Sequence, residues 1–535
     1  MGVDVPGLDW SDERIVPAFQ AIEQLTVYDI RGASQDEQVA ATIIAGIVNR
    51  PQPYIYLMSR DDDATWLERA LSNIPQTHAP QRGRSALFAL LDMYRSLLKG
   101  LIVFDPALPD SLNVATTIAG QRDGIVVPPG MVEELQHKYD LPILEDLQQY
   151  RWSSRLQAYR WAQQNLLAGA NSRIIAGLDP RAFCGLRSFL VATRAFVYWL
   201  DSSKYLPERN QGTLSERGLV QQLLQTFTGR EAVHLGWFVH EPSGVALTSQ
   251  AAIPVLASDY FANLEVWTAS LPSTFSISSH KAVSDSVAVA NKIYVSFTMS
   301  DGDNIQYCQH RLLSLWSDNA RGSVPIGWTL SPAILQAAPA MIDYYMRTAT
   351  ANDEFIAGPS GAAYLFPSFW PQEQLAPFLQ RTGKLMQTLG MKTLEVLDSD
   401  IVYSAGLPVI SKISLNGMAF TNSGLQRKFT QTLAPYGVRG ILSGAGFVLK
   451  KADWQQVNGL PLYQNLGIAD TVENAIRLIK LATALSRQRP LFLNLYILAW
   501  NLGPTQLQQV MRQLGGDYEF VLPQTLLAML MRNSA

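Results

Sequence analysis

Only two cysteines, Cys184 and Cys308, occur in 535 residues, and they lie far apart. That excludes a disulfide framework and a cysteine-built zinc site, and leaves two buried thiols as the expectation. Charge is scarce as well: Asp, Glu, Lys and Arg make up 16% of the chain, with a net charge of −3. No basic run or face stands out, so nucleic acid and anionic membrane are not expected partners. No stretch reaches the roughly 18 apolar residues a membrane helix needs. The longest, Ala40–Val48 and Pro490–Trp500, are short and read as core elements. The opening Met1-Gly-Val-Asp-Val-Pro6 has neither the basic nor the apolar part of a signal peptide, so the chain as written is expected in the cytoplasm. The histidines show no His-x-x-x-His or His-Glu-x-x-His spacing, which removes the common zinc hydrolases. A Gly-x-Ser-x-Gly elbow and a Gly-x-x-x-x-Gly-Lys-Ser/Thr phosphate loop are both missing, and no cofactor is expected.

What is present is globular: 47% of residues are hydrophobic, and the length exceeds one ordinary domain. In the first part, Thr26–Arg31, Pro53–Met58, Gly100–Phe104, Gly124–Pro128, Arg173–Ala176 and Ala232–Val239 read as strands. Asp36–Val48, Asp61–Leu71, Ser85–Leu98, Asp110–Gly120, Asp146–Gly169, Leu186–Leu200 and Gly212–Phe227 read as helices. That alternation predicts parallel sheets. Leu271–Ser286 is Ser-rich and weakly periodic, which places the main boundary there. An N-terminal α/β region over 1–285 then precedes a second domain over 286–535. From Lys292, strand-like runs recur at Ile293–Ser300, Val324–Leu330, Phe355–Gly358, Thr393–Leu397, Val409–Ser414, Gly440–Ser443, Leu491–Ala499 and Tyr518–Leu522. Seven or eight β-α units in about 245 residues predict a (β/α)7-8 barrel-like domain, with an open doubly wound sheet as the alternative.

In such a barrel, chemistry gathers at the C-terminal ends of the strands. Asp301 and Asp303 follow the first strand, and Asp398 and Asp400 follow the fourth, so all four belong to the mouth. Asp353, Glu354, Asp517 and Glu519 precede or open strands and belong to the bottom. The turn Asp301-Gly302-Asp303-Asn304 is the most informative stretch. Gly302 permits a tight positive-φ turn. The two carboxylates and the amide can share a proton, raise one pKa or bind a hard cation. Alternatively, Asp303 caps the helix that follows. Asp398-Ser399-Asp400 repeats the arrangement. Glu395 lies mid-strand and either faces the barrel interior or pairs with a neighbour such as Lys392. Gly358–Pro367 brings small residues, Ser360 among them, and then Tyr364 to the end of the third strand. Trp328, Trp370 and Trp500 lie at or near strand ends, where aromatic faces stack on sugars. Asn501 follows Trp500 and can donate to a hydroxyl.

The run Gly361-Ala-Ala-Tyr-Leu-Phe-Pro367 fits a Gly-x-Gly-Tyr-x-Tyr-Pro pattern, with Ala363 in place of the second Gly and Phe366 in place of the second Tyr. With the Asp-Gly-Asp-Asn turn, Arg321–Pro332, Val27–Arg31, Gly46–Arg50 and Asn113–Gly120, it resembles the GxGYxYP family, which is classed with the glycoside hydrolases. The resemblance spans nearly the whole chain. It implies an N-terminal α/β region, a barrel-like C-terminal domain and a carbohydrate substrate. It also implies export as the alternative to a cytoplasmic location. Glycoside hydrolysis ordinarily uses two carboxyl groups, about 5–5.5 Å apart for retention and about 6.5–9.5 Å apart for inversion. The leading expectation therefore sets Asp301 and Asp303 against Asp398. Asn304, Trp328, Ser360, Tyr364, Asp400, Trp500 and Asn501 would hold the sugar, and no residue is assigned to a metal. Two rivals stay open: a non-catalytic carbohydrate-binding protein, and a Mg²⁺- or Ca²⁺-dependent hydrolase using the Asp-Gly-Asp-Asn turn.

Overall fold

A computed structural model describes residues 3–11, 13–50, 52–208, 212–271, 289–302, 304–399, 418–445, 453–486 and 488–533. Asp303, Asp400, the expected strand Val409–Ser414 and most of the expected boundary segment lie outside the described residues. The chain separates into two compact units. One holds Met1–Phe275 with Gln336–Tyr344, and the other holds Ser276–Leu335 with Tyr345–Ala535. No helix among the described residues is long and apolar enough to cross a membrane.

The first unit carries three small parallel sheets. Strands β1 (Leu25–Asp29), β2 (Ile55–Met58) and β3 (Gln76–Arg82) pair in the order β2-β1-β3. Strands β4 (Gly100–Val103), β5 (Gly124–Val127) and β6 (Ile143–Asp146) pair as β5-β4-β6. Strands β7 (Ile174–Gly177), β8 (Phe196–Tyr198), β9 (Val233–Gly236) and β10 (Val255–Ala257) pair as β10-β9-β7-β8. The helix expected from Asp36 runs Gln35–Val48. Ser34 and Glu37 form a reciprocal capping box at its start, and Asn49 ends it. The helix expected over Leu186–Leu200 is corrected. Only Arg187–Ala192 is helical, and β8 follows. Both pieces are fully buried, and an apolar-rich run does not tell a buried strand from a buried helix.

The second unit is built on a curled, mostly parallel sheet. Its strands are β11 (Ile293–Met299), β12 (Ile326–Leu330), β13 (Asp353–Ala357), β14 (Thr393–Val396), β15 (Gly440–Ser443), β16 (Asp453–Val457), β17 (Leu460–Gln464), β18 (Ile468–Ala469), β19 (Leu491–Ile497) and β20 (Tyr518–Phe520). The order is β16-β17-β15-β14-β13-β12-β11-β19-β18, with β20 also on β11. Every pairing is parallel except the β16–β17 hairpin. Past β17 the chain bonds both ways: Asn465 N–H donates to Ser443 O, and Leu466 N–H donates to Asn494 O.

Alternation along these strands sends Tyr294, Ile356, Leu442, Tyr463 and Phe492 to one core, where they meet Leu526, Leu527, Met529 and Leu530 of helix Pro523–Asn533. Glu354 faces the same side. Its carboxylate accepts from Thr393 Oγ1 (2.8 Å) and from Gln524 N–H (2.9 Å) at the start of that helix. Burial outweighs both bonds and pushes its pKa from 4.5 up to about 7. The folded protein therefore keeps a proton on Glu354 between those values that the unfolded chain has released. The contribution is fully present below pH 4.5, is lost as pH rises towards 7, and is flat above. The loss is on the order of 3 kcal/mol. Glu354→Gln keeps a neutral side chain whose oxygen can accept from Gln524 N–H and whose amide N–H can donate to Thr393 Oγ1. Its melting temperature is expected to fall less than that of the wild type between pH 5 and pH 8. Parallel melting curves across that range would exclude the effect.

Candidate active site

Because β11 to β15, β17 and β19 run parallel, their C-terminal ends share one rim. Asp301 follows β11, Asp398 follows β14, and Trp500 and Asn501 follow β19. All four stand at that rim.

At the first turn the positive φ belongs to Asp301 (+74°), not to Gly302 as expected. Gly302 is required for a different reason. A Cβ there would lie 2.5 Å from Thr329 C and 2.7 Å from Leu330 N, so only bare backbone fits against β12. Gly302 N–H donates to Thr329 Oγ1 (3.0 Å), and Gly302 O accepts from Ser331 N–H (2.6 Å). The cap of the following helix, Ile305–Gln309, is Asn304 rather than Asp303. Its Oδ1 accepts from Tyr307 N–H at 3.0 Å. That bond uses one of the two acceptor sites of the amide oxygen and leaves the Nδ2 donor outside the cap. Among the described residues no group of three or more His, Cys, Asp or Glu side chains gathers as a metal site.

Asp398 is buried and ties the turn after β14 to Ser368 in the segment after β13. Its Oδ1 accepts from Ser368 N–H and Ser399 N–H, both at 2.9 Å, and its Oδ2 accepts from Ser368 Oγ at 2.6 Å. Ser360, with φ +65°, donates Oγ–H to Leu397 O (2.6 Å) and N–H to Glu395 O (2.8 Å), so it ties the loop after β13 to β14. Tyr364 is buried edge-on against Phe366, its hydroxyl 4.0 Å from Met418 Sδ. Trp328 faces out of the sheet on the same side as Ile326 and Leu330. It packs on Trp316 and gives its indole N–H to Asp353 (2.9 Å). Its place one residue from the inward-facing Thr329 is what turns it away from a ligand. Trp500 is 47% exposed, and Asn501 is exposed beside it.

Glu395 is fully buried and shares its side of β14 with Thr393, which bonds the inward-facing Glu354. Gly358 leaves room for it: a Cβ there would lie 2.9 Å from Glu395 Cβ. Lys392 falls on the other side of β14, so the expected pairing with Lys392 does not match the alternation. The same level of the interior holds a polar network missed by sequence reasoning. Ser296 Oγ donates to Asn494 Oδ1 (2.6 Å), Asn494 Nδ2 donates to Asn465 Oδ1 (2.6 Å), and Asn465 Nδ2 donates to Gly444 O (2.5 Å). The interior thus changes from apolar at the terminal helix to polar beneath the rim. Tyr307 was also missed. Its ring meets Trp500 edge-on at 5.9 Å.

Four family models cover most of the chain. "GxGYxYP_N 1st domain" matches 24–96, "GxGYxYP_N second domain" 98–170 and "GxGYxYP third domain" 172–269. "GxGYxYP putative glycoside hydrolase C-terminal domain" matches 291–531. The chain belongs to the GxGYxYP family. The stretch that gives the family its name is buried here from Ala362 to Phe366. Gly361, at φ +147°, has no room for a side chain against Phe378 Cε1, which would lie 2.5 Å from a Cβ. Among solved structures, a "putative hydrolase" from Bacteroides thetaiotaomicron VPI-5482 shares the fold at 20% identity and a TM-score of 0.78, covering 98% of this chain and 99% of that one. A "putative polysaccharide deacetylase" from Mycobacterium smegmatis is 13% identical, with a TM-score of 0.30, over 46% of this chain and 92% of that one. No curated protein matches the chain.

A cavity of about 490 Å³ lies in the first unit, lined by Gln163, Asn171, Gln225, Thr226 and Arg230 among others. Its lining has no carboxylate and no histidine, so it offers no acid–base pair for hydrolysis.

Proposed function

We propose that this GxGYxYP protein is a glycoside hydrolase whose second unit closes as a (β/α)7 barrel and cleaves a carbohydrate at its rim. The carrying observation is the parallel register from β11 to β15. With the β11–β19 pairing, it supports one rim that carries Asp301 and Trp500, with Glu395 just beneath on β14. Closure is supported by residues 465–467, which bond β15 on one side and β19 on the other. The second carboxyl group is Glu395 rather than Asp398. Asp398 serves as a loop anchor, because three hydrogen bonds already hold it. Asp303 remains a candidate from its place in the turn. Trp500 supplies a stacking face and Asn501 a polar edge. The polar cluster of Ser296, Thr298 and Asn494, buried and bonded within itself, supports the interior beneath the rim.

The experiment is reducing-end release by the purified full chain from cello-, malto-, xylo-, manno- and chito-oligosaccharides and their parent polysaccharides. Release from at least one class is the expected result. Saturable binding without release from any would replace this reading with the non-catalytic one.

A further inference from the structure

Tyr307 is a buried phenol on the short helix Ile305–Gln309. The residue is 1% exposed, and its Oη has no hydrogen-bond partner among the described residues. Buried phenols ordinarily find a partner, because an unmatched one loses its bonds to water and gains nothing. Burial first, and then Cys308 and Asp301, push its ionisation well above the ordinary value. It therefore stays protonated at neutral pH as a donor. Its ring lies edge-on to Trp500, the half-exposed indole at the rim, and it responds to the charge of Asp301. The buried hydroxyl thus belongs to a ring packed on the half-exposed rim indole, within electrostatic reach of the carboxylate expected to do chemistry.

We propose that Tyr307 is a ligand-contacting residue whose hydroxyl bonds a sugar hydroxyl once a glycan seated at the rim displaces the Trp500 indole. This rests on the carbohydrate reading above. It deepens that reading by adding a subsite made of Trp500 and Tyr307, and it explains why an unmatched donor is kept at this position. Local inconsistencies of this kind are tolerated where a ligand completes them.

Tyr307→Phe tests it, with two readouts. Unliganded, the variant is expected to melt at the same temperature as the wild type or about 1–3 °C higher, because an unmatched polar group has been removed. Binding is measured on the full chain with Asp301→Asn as background, titrating the oligosaccharides named above and following tryptophan emission, with Trp500→Phe identifying the responding indole. Affinity is expected to fall about tenfold in Tyr307→Phe. A melting temperature several degrees lower would show that the hydroxyl serves the fold, and unchanged affinity would show that it does not touch the ligand; either overturns the proposal. Turnover by the wild type together with unaltered affinity in Tyr307→Phe overturns only the role of Tyr307. Neither binding nor turnover of any glycan by the wild type overturns the carbohydrate reading with it.

Discussion

Asp301→Asn is expected to lower turnover about 10³-fold or more while leaving the melting temperature within a degree or two of the wild type. The choice of asparagine matters because Asp301 sits at φ +74°. Asn and Asp are the non-glycine residues that enter that region most readily, so the substitution removes the charge and preserves the turn. Alanine would mix lost chemistry with backbone strain. If Asp301 and Glu395 act as a pair, adding Glu395→Gln should cost far less than the product of the two single losses, since either one alone disables the step. Full turnover by Asp301→Asn on a glycan the wild type hydrolyses would remove the rim turn from the mechanism.

Gly302→Ala is expected to destabilise the second unit by about 3 kcal/mol or more and to abolish activity with it. The added methyl meets main-chain atoms of Thr329 and Leu330, not the end of a flexible side chain, so the turn itself must move. That movement breaks the bonds from Gly302 N–H to Thr329 Oγ1 and from Ser331 N–H to Gly302 O. Urea unfolding followed by tryptophan emission is expected to show an early transition absent from the wild type. A curve superimposable on the wild type would mean that the turn is not packed on β12 as described.

Much of the second unit was legible in the sequence because its strands are short buried runs bounded by Gly, Pro or Asp. The strand expected over Gly440–Ser443 has those same limits, and the one expected over Thr393–Leu397 ends at Val396. β3 was not legible: Gln76–Arg82 is polar, mostly exposed and contains a proline, as an edge strand tolerates. The β16–β17 hairpin carried a usable signal that the barrel pattern passes over. Asn458 and Gly459 both have positive φ, as that turn requires. In the first unit, the buried run around β8 concealed a strand within an expected helix.

The rim was legible for the same reason, since parallel strands deliver their trailing turns to one side. Side-chain direction was not. Trp328 lies mid-strand rather than at the strand end, and both sides of β12 are covered, so apolar residues on either side give no sign of which faces inward. Asp398 reads as an open acid until Ser368, thirty positions earlier in sequence, proves to be its partner. Tyr307 looks like any aromatic on a short helix. Only the packing around it reveals that its hydroxyl has no hydrogen-bond partner among the described residues.

The burial of Gly361–Pro367 has a consequence for reading relatives. A signature that is buried and is followed directly by Ser368, the serine holding Asp398, records how the scaffold is maintained, not which ligand is taken. Two proteins bearing the same seven letters need share no diet, and Ala363, itself out of reach of solvent, says nothing against activity. Specificity would be written instead in the unmarked positions around the opening, where Trp500 and Asn501 stand.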